Sequence, residues 1–271
     1  MGHGIAHVVS TAGFTVILND IKEVFLAKEK GNIEQPLGRL LKKGKINERD
    51  KQDILARITF CTDMAESFKN ANLVIEAIPE ILHLKKEIFK QVDSICKPES
   101  ILASNTSQYS ITEIATAASN PARVIGMHWF NPPVMMKLIE IVKGLDTSQK
   151  AVEQVRAFAA VVGKETVVCR DSQGFINTRV LMALRLECYR LLEEGIATKE
   201  DIDKTLRLAF GPPMGQFELA DYSGLDLEGP VCEALTKIYG DRFRPTQDLL
   251  NLVRSGRFGR KTGRGWYDYS S

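Results

Sequence analysis

At 271 residues, 44% hydrophobic and 26% charged with a net charge of +2, the chain is long enough for two domains and carries no general basic field for nucleic acid. No apolar run approaches the ~20 residues of a membrane span, and the N-terminus lacks the basic-then-apolar order of a signal peptide. Five scattered cysteines (Cys61, Cys96, Cys169, Cys188, Cys232), odd in number and without a C-x-x-C pair, read as reduced thiols in a reducing compartment, the cytoplasm if the protein is bacterial or the mitochondrial matrix if it is eukaryotic, and give no support for a zinc site.

The chain opens on Met1-Gly2-His3-Gly4-Ile5-Ala6, which reads as a dinucleotide-binding turn entered late. A helix-compatible run continues through His7-Val8-Val9-Ser10 to Ala12 and stops at Gly13. In a Rossmann unit the first strand leads into G-x-G-x-x-G, then a helix, then a second strand that ends in an acid about 20 positions beyond the glycines. Here Gly2 takes the place of the third glycine, a strand from Phe14 to Leu18 ends in Asn19-Asp20, and the first strand and first two glycines are missing. M-G-x-G-x-A alone is a weak signal, which Asp20 strengthens. Its carboxylate would accept hydrogen bonds from ribose hydroxyls and repel a 2′-phosphate, which argues for NAD over NADP.

From Lys22 to Arg57 the pattern is helical and lysine-rich, a hairpin broken at Gly44-Lys45-Ile46-Asn47. Lys42, Lys43 and Lys45 would suit a polyanion such as the phosphates of coenzyme A, or form a merely solvated face. Strand-like runs then alternate with helices: Ile58 to Cys61, Leu73 to Ile78, Ile101 to Ser104, Val124 to His128 and Lys137 to Val142. Such alternation predicts a mostly parallel sheet covered by helices, whose ligands sit beyond the carboxyl ends of the strands. Glu80, Asn105, Ser107, His128 and Asn131 all fall at or just past strand ends.

Within this run, His128 and Glu140 stand out. Histidine is the side chain best suited to move a proton near neutral pH. Asn131-Pro132-Pro133 predicts an extended turn after it, because a residue preceding proline is pushed out of the helical region. The returning strand places Leu138, Glu140 and Val142 on one face and Ile139 and Ile141 on the other. A carboxylate on such a face needs a partner, and His128 is the nearest candidate. A satisfied core histidine beside an edge charge is the blander alternative. A carboxylate on one ring nitrogen would instead fix the tautomer, leave the other nitrogen as a base and stabilise the imidazolium that forms.

The character changes at Asp171-Ser172-Gln173-Gly174, and the chain divides into a Rossmann-like domain over 1–171, with the helical hairpin at 22–57, and a helical domain over 172–271. Helices are predicted over Phe175 to Glu194, Lys199 to Phe210, Gly229 to Tyr239 and Thr246 to Ser255, with Gly195 a stop and Thr198 a cap. Val180, Leu181, Leu184, Leu191 and Leu192 form long apolar stripes that suit either the core or a homodimer interface. The tail from Phe258 to Tyr267 is glycine-rich and basic, and is expected to fold back toward an anionic ligand.

Taken together, the motifs resemble those of the 3-hydroxyacyl-CoA dehydrogenase family and, within it, the bacterial 3-hydroxybutyryl-CoA dehydrogenases. The likeness runs through M-G-x-G-I-A at 1–6, Asp20, V-I-E-A-I-x-E at 74–80, S-N-T-S at 104–107, H-W-F-N-P at 128–132, K-L-I-E, D-x-x-G-F at 171–175 and G-R-K-T-G-x-G-W-Y at 259–267. It implies NAD-dependent interconversion of a 3-hydroxyacyl-CoA and its 3-keto form, with no nucleic-acid or membrane partner and no metal. His128 would be the base, Glu140 its orienting partner, Ser107 a donor to the reacting oxygen, and Asn131 would help position substrate and nicotinamide. Met1, Gly2, Asp20, Glu80, Lys85, Ser107, Asn131 and Lys261 would meet the cofactor, and Lys43, Ser107 and Thr178 the substrate.

Two departures from the family pattern qualify this. The strand and V-I-G-x-G that usually precede Met1 are missing, which reads as a late start rather than lost NAD binding because the downstream site residues persist. Thr178 stands where the family commonly has asparagine in G-F-x-x-N-R, with Asn177 one residue early, about 100° away on a helix. A sugar-acid dehydrogenase of the gulonate type, or a non-catalytic relative, are the alternatives left open.

Overall fold

A computed structural model describes residues 1–270, which divide into two compact units, Met1–Ser172 and Gln173 onward. In the first unit α1 (Gly2–Thr11) gives way to a turn at Gly13, whose φ of +94° a side chain would resist. β1 (Val16–Asn19), α2 (Glu23–Lys42) and α3 (Glu48–Ala56) follow, then β2 (Ile58–Cys61), which pairs parallel to β1. Asn47 and Asp50 start α3 with reciprocal side-chain to backbone bonds of 2.8 and 2.9 Å.

The chain continues through α4 (Met64–Phe68), β3 (Leu73–Glu76), α5 (Leu82–Ile95), β4 (Ile101–Ser104), α6 (Ile111–Ala115) and β5 (Val124–Trp129). β3, β4 and β5 are parallel, β6 (Leu138–Lys143) returns antiparallel to β5, and after α7 (Gln149–Val161) β7 (Glu165–Arg170) lies parallel to β6. The ladder is in two parts, β1-β2 and β3-β4-β5-β6-β7. In the doubly wound order 3-2-1-4-5-6 the strand preceding α1 would lie between β1 and β3. No described residue fills that place, which accounts for the split. α1 serves both parts: Ile5 packs with Ile101, Ile125 and Ile141, and Ala6 with Ile33, Leu37 and Ile58.

The Rossmann-type, mostly parallel sheet followed by an all-helical unit is therefore present. β1 begins two residues later than the hydrophobic pattern suggests, at Val16, and β7 is an additional strand. Val167 and Val168 of β7 are 38% and 39% exposed, so this edge strand has neither a buried face nor an alternating pattern to mark it.

The second unit consists of α8 (Asn177–Glu193), α9 (Lys199–Phe210), α10 (Gln216–Ser223), α11 (Glu228–Tyr239) and α12 (Gln247–Arg254). Thr198 caps α9 by accepting from the Asp201 N–H at 3.2 Å, and Gly195 leaves α8 at φ +69°. Leu186, Tyr189, Phe217, Leu235 and Trp266 form its core. The tail folds back onto these helices: Asp221 accepts from the N–H groups of Trp266 and Tyr267 at 2.9 and 2.8 Å and from the Tyr269 hydroxyl at 3.1 Å. The predicted stripe on α8 separates into two sets. Leu191 and Leu192 pack on the core, whereas Val180 and Leu184 stay exposed beside Ile176.

Candidate active site

β5 and β6 bring His128 and Glu140 directly opposite each other in the antiparallel register. His128 Nδ1 lies 2.7 Å from Glu140 Oε2, and both residues are buried, Glu140 completely. A carboxylate accepts only, so Nδ1 carries the hydrogen and Nε2 becomes the basic nitrogen. Burial strengthens this bond, because little water competes for either partner. The Phe130 ring packs on the imidazole at 4.7 Å between centroids. Lys164 secures the β5–β6 turn by donating to the carbonyls of Pro133 and Met136 at 2.6 and 2.7 Å. Burial, reinforced by Glu140 and Asp171, pushes the Cys169 thiol up to about 11, so this neighbour stays protonated at neutral pH.

β3, β4 and β5 are parallel, so their carboxyl ends share one edge of the sheet, and the loops there carry Glu80, Asn105, Ser107 and Asn131. Asn105 Oδ1 accepts from the Trp129 N–H at 2.8 Å, tying the loop after β4 to the end of β5 beside His128. Ser107 is half-buried, with its N–H donated to Glu80 Oε1 at 2.9 Å, and Asn131 is exposed in the turn. Lys85, expected to meet the cofactor, is paired with two acids at the same strand ends. Its side chain is 1% exposed and its Nζ lies between Glu76 Oε1 at 2.8 Å and Glu80 Oε2 at 3.0 Å. Glu76 was not singled out from the sequence, where it falls inside the predicted strand Leu73 to Ile78; in the structure the strand ends at it.

The residues at the start of the chain fit a dinucleotide. The Met1 side chain makes no cap bond to α1, the first turn holds no acid, and a Cβ on Gly2 would meet nothing within 4 Å. A helix start without a competing anion suits a pyrophosphate. Asp20 follows β1 with a half-exposed carboxylate whose Oδ1 accepts from the Ile21 N–H at 2.7 Å, leaving acceptor capacity for a ribose. Gly4 admits the proline turn to α1, since a Cβ there would come within 2.9 Å of Pro133 Cδ.

Three further candidates lie elsewhere. Lys43, which ends α2, is exposed along with Lys42 and Lys45. In the second unit Asn177 and Thr178 open α8, and Lys261 forms an ion pair with Asp226. Among the described residues no group of three His, Cys, Asp or Glu is placed to hold a metal, and no helix is long and apolar enough to cross a membrane.

A dinucleotide-binding sheet with an acid-held histidine at its ligand edge is the arrangement of an NAD-dependent dehydrogenase. Residues 1–172 match the NAD-binding domain of 3-hydroxyacyl-CoA dehydrogenase, and residues 174–269 match its C-terminal domain. The chain belongs to the 3-hydroxyacyl-CoA dehydrogenase family. It is 42% identical to the mitochondrial hydroxyacyl-coenzyme A dehydrogenase of Rattus norvegicus, covering 99% of this chain and 88% of that one. A 3-hydroxybutyryl-CoA dehydrogenase of Bradyrhizobium diazoefficiens is 38% identical over 99% of this chain and 92% of its own. The crystal structure of (S)-3-hydroxybutyryl-CoA dehydrogenase from Ralstonia eutropha superposes with a TM-score of 0.96 at 39% identity, covering 100% of this chain and 96% of that one.

Proposed function

We propose that the chain interconverts (S)-3-hydroxyacyl-CoA, of short chain such as 3-hydroxybutyryl-CoA, and 3-ketoacyl-CoA, with His128 as the general base. The supporting observation is the buried 2.7 Å contact between His128 Nδ1 and Glu140 Oε2 across adjacent strands. In the oxidative direction His128 Nε2 takes the proton of the 3-hydroxyl as C3 becomes a carbonyl, and Glu140 stabilises the imidazolium formed. Bound NAD supplies the acceptor for the hydride that leaves C3. Ser107 donates to the reacting oxygen and Asn131 positions the substrate. Asp20 holds a ribose, and Met1 and Gly2 line the pyrophosphate approach. Glu80 keeps a 30% exposed carboxylate for the cofactor side. Lys43 is assigned to coenzyme A, Thr178 to substrate and Lys261 to cofactor on the motif alone.

The test is the rate of NADH formation from 3-hydroxybutyryl-CoA by the parent and by His128→Gln, with NADH affinity followed by fluorescence. Turnover is expected to fall by roughly 10²–10⁴-fold, the worth of general-base help, with affinity preserved. Parent-like turnover would remove His128 from the mechanism. Oxidation of free 3-hydroxybutyrate or gulonate in preference to the CoA ester would favour a sugar-acid-type enzyme, and absence of NADH binding a non-catalytic protein. We also propose a homodimer formed through Val180 and Leu184, exposed one helical turn apart on α8, and Ile176 just before it. A monomeric mass in sedimentation at micromolar concentration would contradict it. The five free thiols suit a reducing compartment such as a bacterial cytoplasm.

A further inference from the structure

The first turn of α1, the place proposed for the pyrophosphate, holds no acid of its own, but one reaches it from α2. Glu29 Oε2 is hydrogen bonded to Nδ1 of His3, and Glu29 Oε1 accepts from Asn32 Nδ2 at 3.4 Å. A carboxylate only accepts, so Nδ1 of His3 carries a hydrogen whatever the state of its other ring nitrogen. Both side chains are partly exposed. Among the described residues no lysine or arginine pairs with Glu29, and the adjacent Lys30 lies 4.0 Å from Glu34 instead. His7, one turn further along α1, cannot take the place of His3 as a cation. It is buried, and burial, reinforced by the charge of His3, holds its imidazole below the ordinary value, so His7 is neutral at pH 7.

We infer that His3 is a further determinant of cofactor affinity, because it supplies the positive charge that cancels Glu29 beside the pyrophosphate. This rests on the placing of the pyrophosphate at α1 proposed above. A helix start favours an anion through its free N–H groups and its dipole. A carboxylate at the same turn works against that in two ways: it repels the phosphates, and it is a rival acceptor for the N–H groups. Protonated His3 makes the pair neutral as a whole. Its hydrogen bond also occupies the Glu29 oxygen that could otherwise accept from the turn. The effect acts through charge, without a contact between the imidazole and the cofactor, so it must weaken as salt screens it.

The test is NADH affinity, read by fluorescence titration at about pH 6, below the ordinary imidazole pKa of ~6.5, with circular dichroism to show that each variant is folded. At low ionic strength His3→Ala leaves the acid uncancelled and is expected to weaken NADH binding by about two- to fivefold, the effect of one charge at an exposed helix terminus. Glu29→Gln added to His3→Ala leaves no charge to cancel and is expected to return the affinity to that of the parent. In about 1 M salt, where the screening length is about 3 Å, the parent and both variants are expected to converge. Parent-like binding by His3→Ala at low salt, a loss that Glu29→Gln does not reverse, or a loss that persists in high salt would each overturn the inference. Gly2→Asp tests the placing of the pyrophosphate separately, since a Cβ there meets nothing within 4 Å and the new carboxylate enters the proposed approach itself. It is expected to weaken NADH binding more than His3→Ala does. Parent-like binding by Gly2→Asp would remove the pyrophosphate from α1 and the inference with it, whereas weak binding by Gly2→Asp beside parent-like binding by His3→Ala would overturn the inference alone.

Discussion

A carboxylate with no solvent exposure between Ile139 and Ile141 is stable in its charged form only if its oxygens are satisfied, and His128 supplies one partner at 2.7 Å. This pair was legible in the sequence because strand alternation put Glu140 on a face that reads as buried, and because the turn after His128 is marked by two prolines. The exact opposition of the two residues was not, since it depends on how many residues the Asn131–Lys137 turn absorbs. The ion pairs of Lys85 were hidden for a related reason: its two carboxylate partners come from the end of β3 and the loop before α5, and only the folded sheet shows them beside it. Asn105 plays a quieter part, accepting from the Trp129 N–H. Asn105→Ala leaves that N–H without its acceptor and is expected to cost about 1–3 kcal/mol. Urea unfolding checks this, and a loss under half a kcal/mol would show that water replaces the amide.

At the scale of elements, the close approach of β5, β6 and α6 depends on Gly126. It faces Val142 in the register, and a Cβ there would lie 2.7 Å from Val142 Cβ and 3.0 Å from Ile111 Cδ1. Gly126→Ala is therefore expected to destabilise the first unit by about 1–3 kcal/mol through overpacking. Because it lies two residues before His128, turnover should fall with it. Equal stability and turnover in the variant would mean that β5 and β6 can separate without moving the pair. Helices were easier to place from sequence than strands here. Lys199–Phe210 was marked by its cap Thr198, and the structure closes it with the left-handed Gly211, whereas β7 is an exposed edge strand with no such markers.

Over the whole molecule, Asp93 on α5 is pinned by Arg123 ahead of β5, with Arg123 Nη2 2.6 Å from Asp93 Oδ1 and the Ser119 N–H 2.8 Å from Oδ2. Burial pushes the Asp93 carboxyl up, but Arg123 and Ser119 outweigh it and hold the group below the ordinary carboxylate range. A carboxyl depressed in the folded state contributes stability above its unfolded pKa, ~3.9, and loses it as pH falls through the folded value. Asp93→Asn should therefore be less stable than the parent at pH 7, with the difference shrinking below about pH 4. Thermal unfolding across that range checks it, and a difference independent of pH would assign the effect to packing. The two-part sheet was not anticipated from the sequence, and the strand order of a doubly wound sheet places the gap between β1 and β3, where no described residue lies. The most direct test of the central claim is NADH formation by Glu140→Gln, which keeps the shape of the side chain and removes its charge. The account predicts a fall in kcat of roughly 10²–10⁴-fold with NADH affinity within a few-fold of the parent. A Glu140→Gln protein that turns over at the parent rate would contradict it.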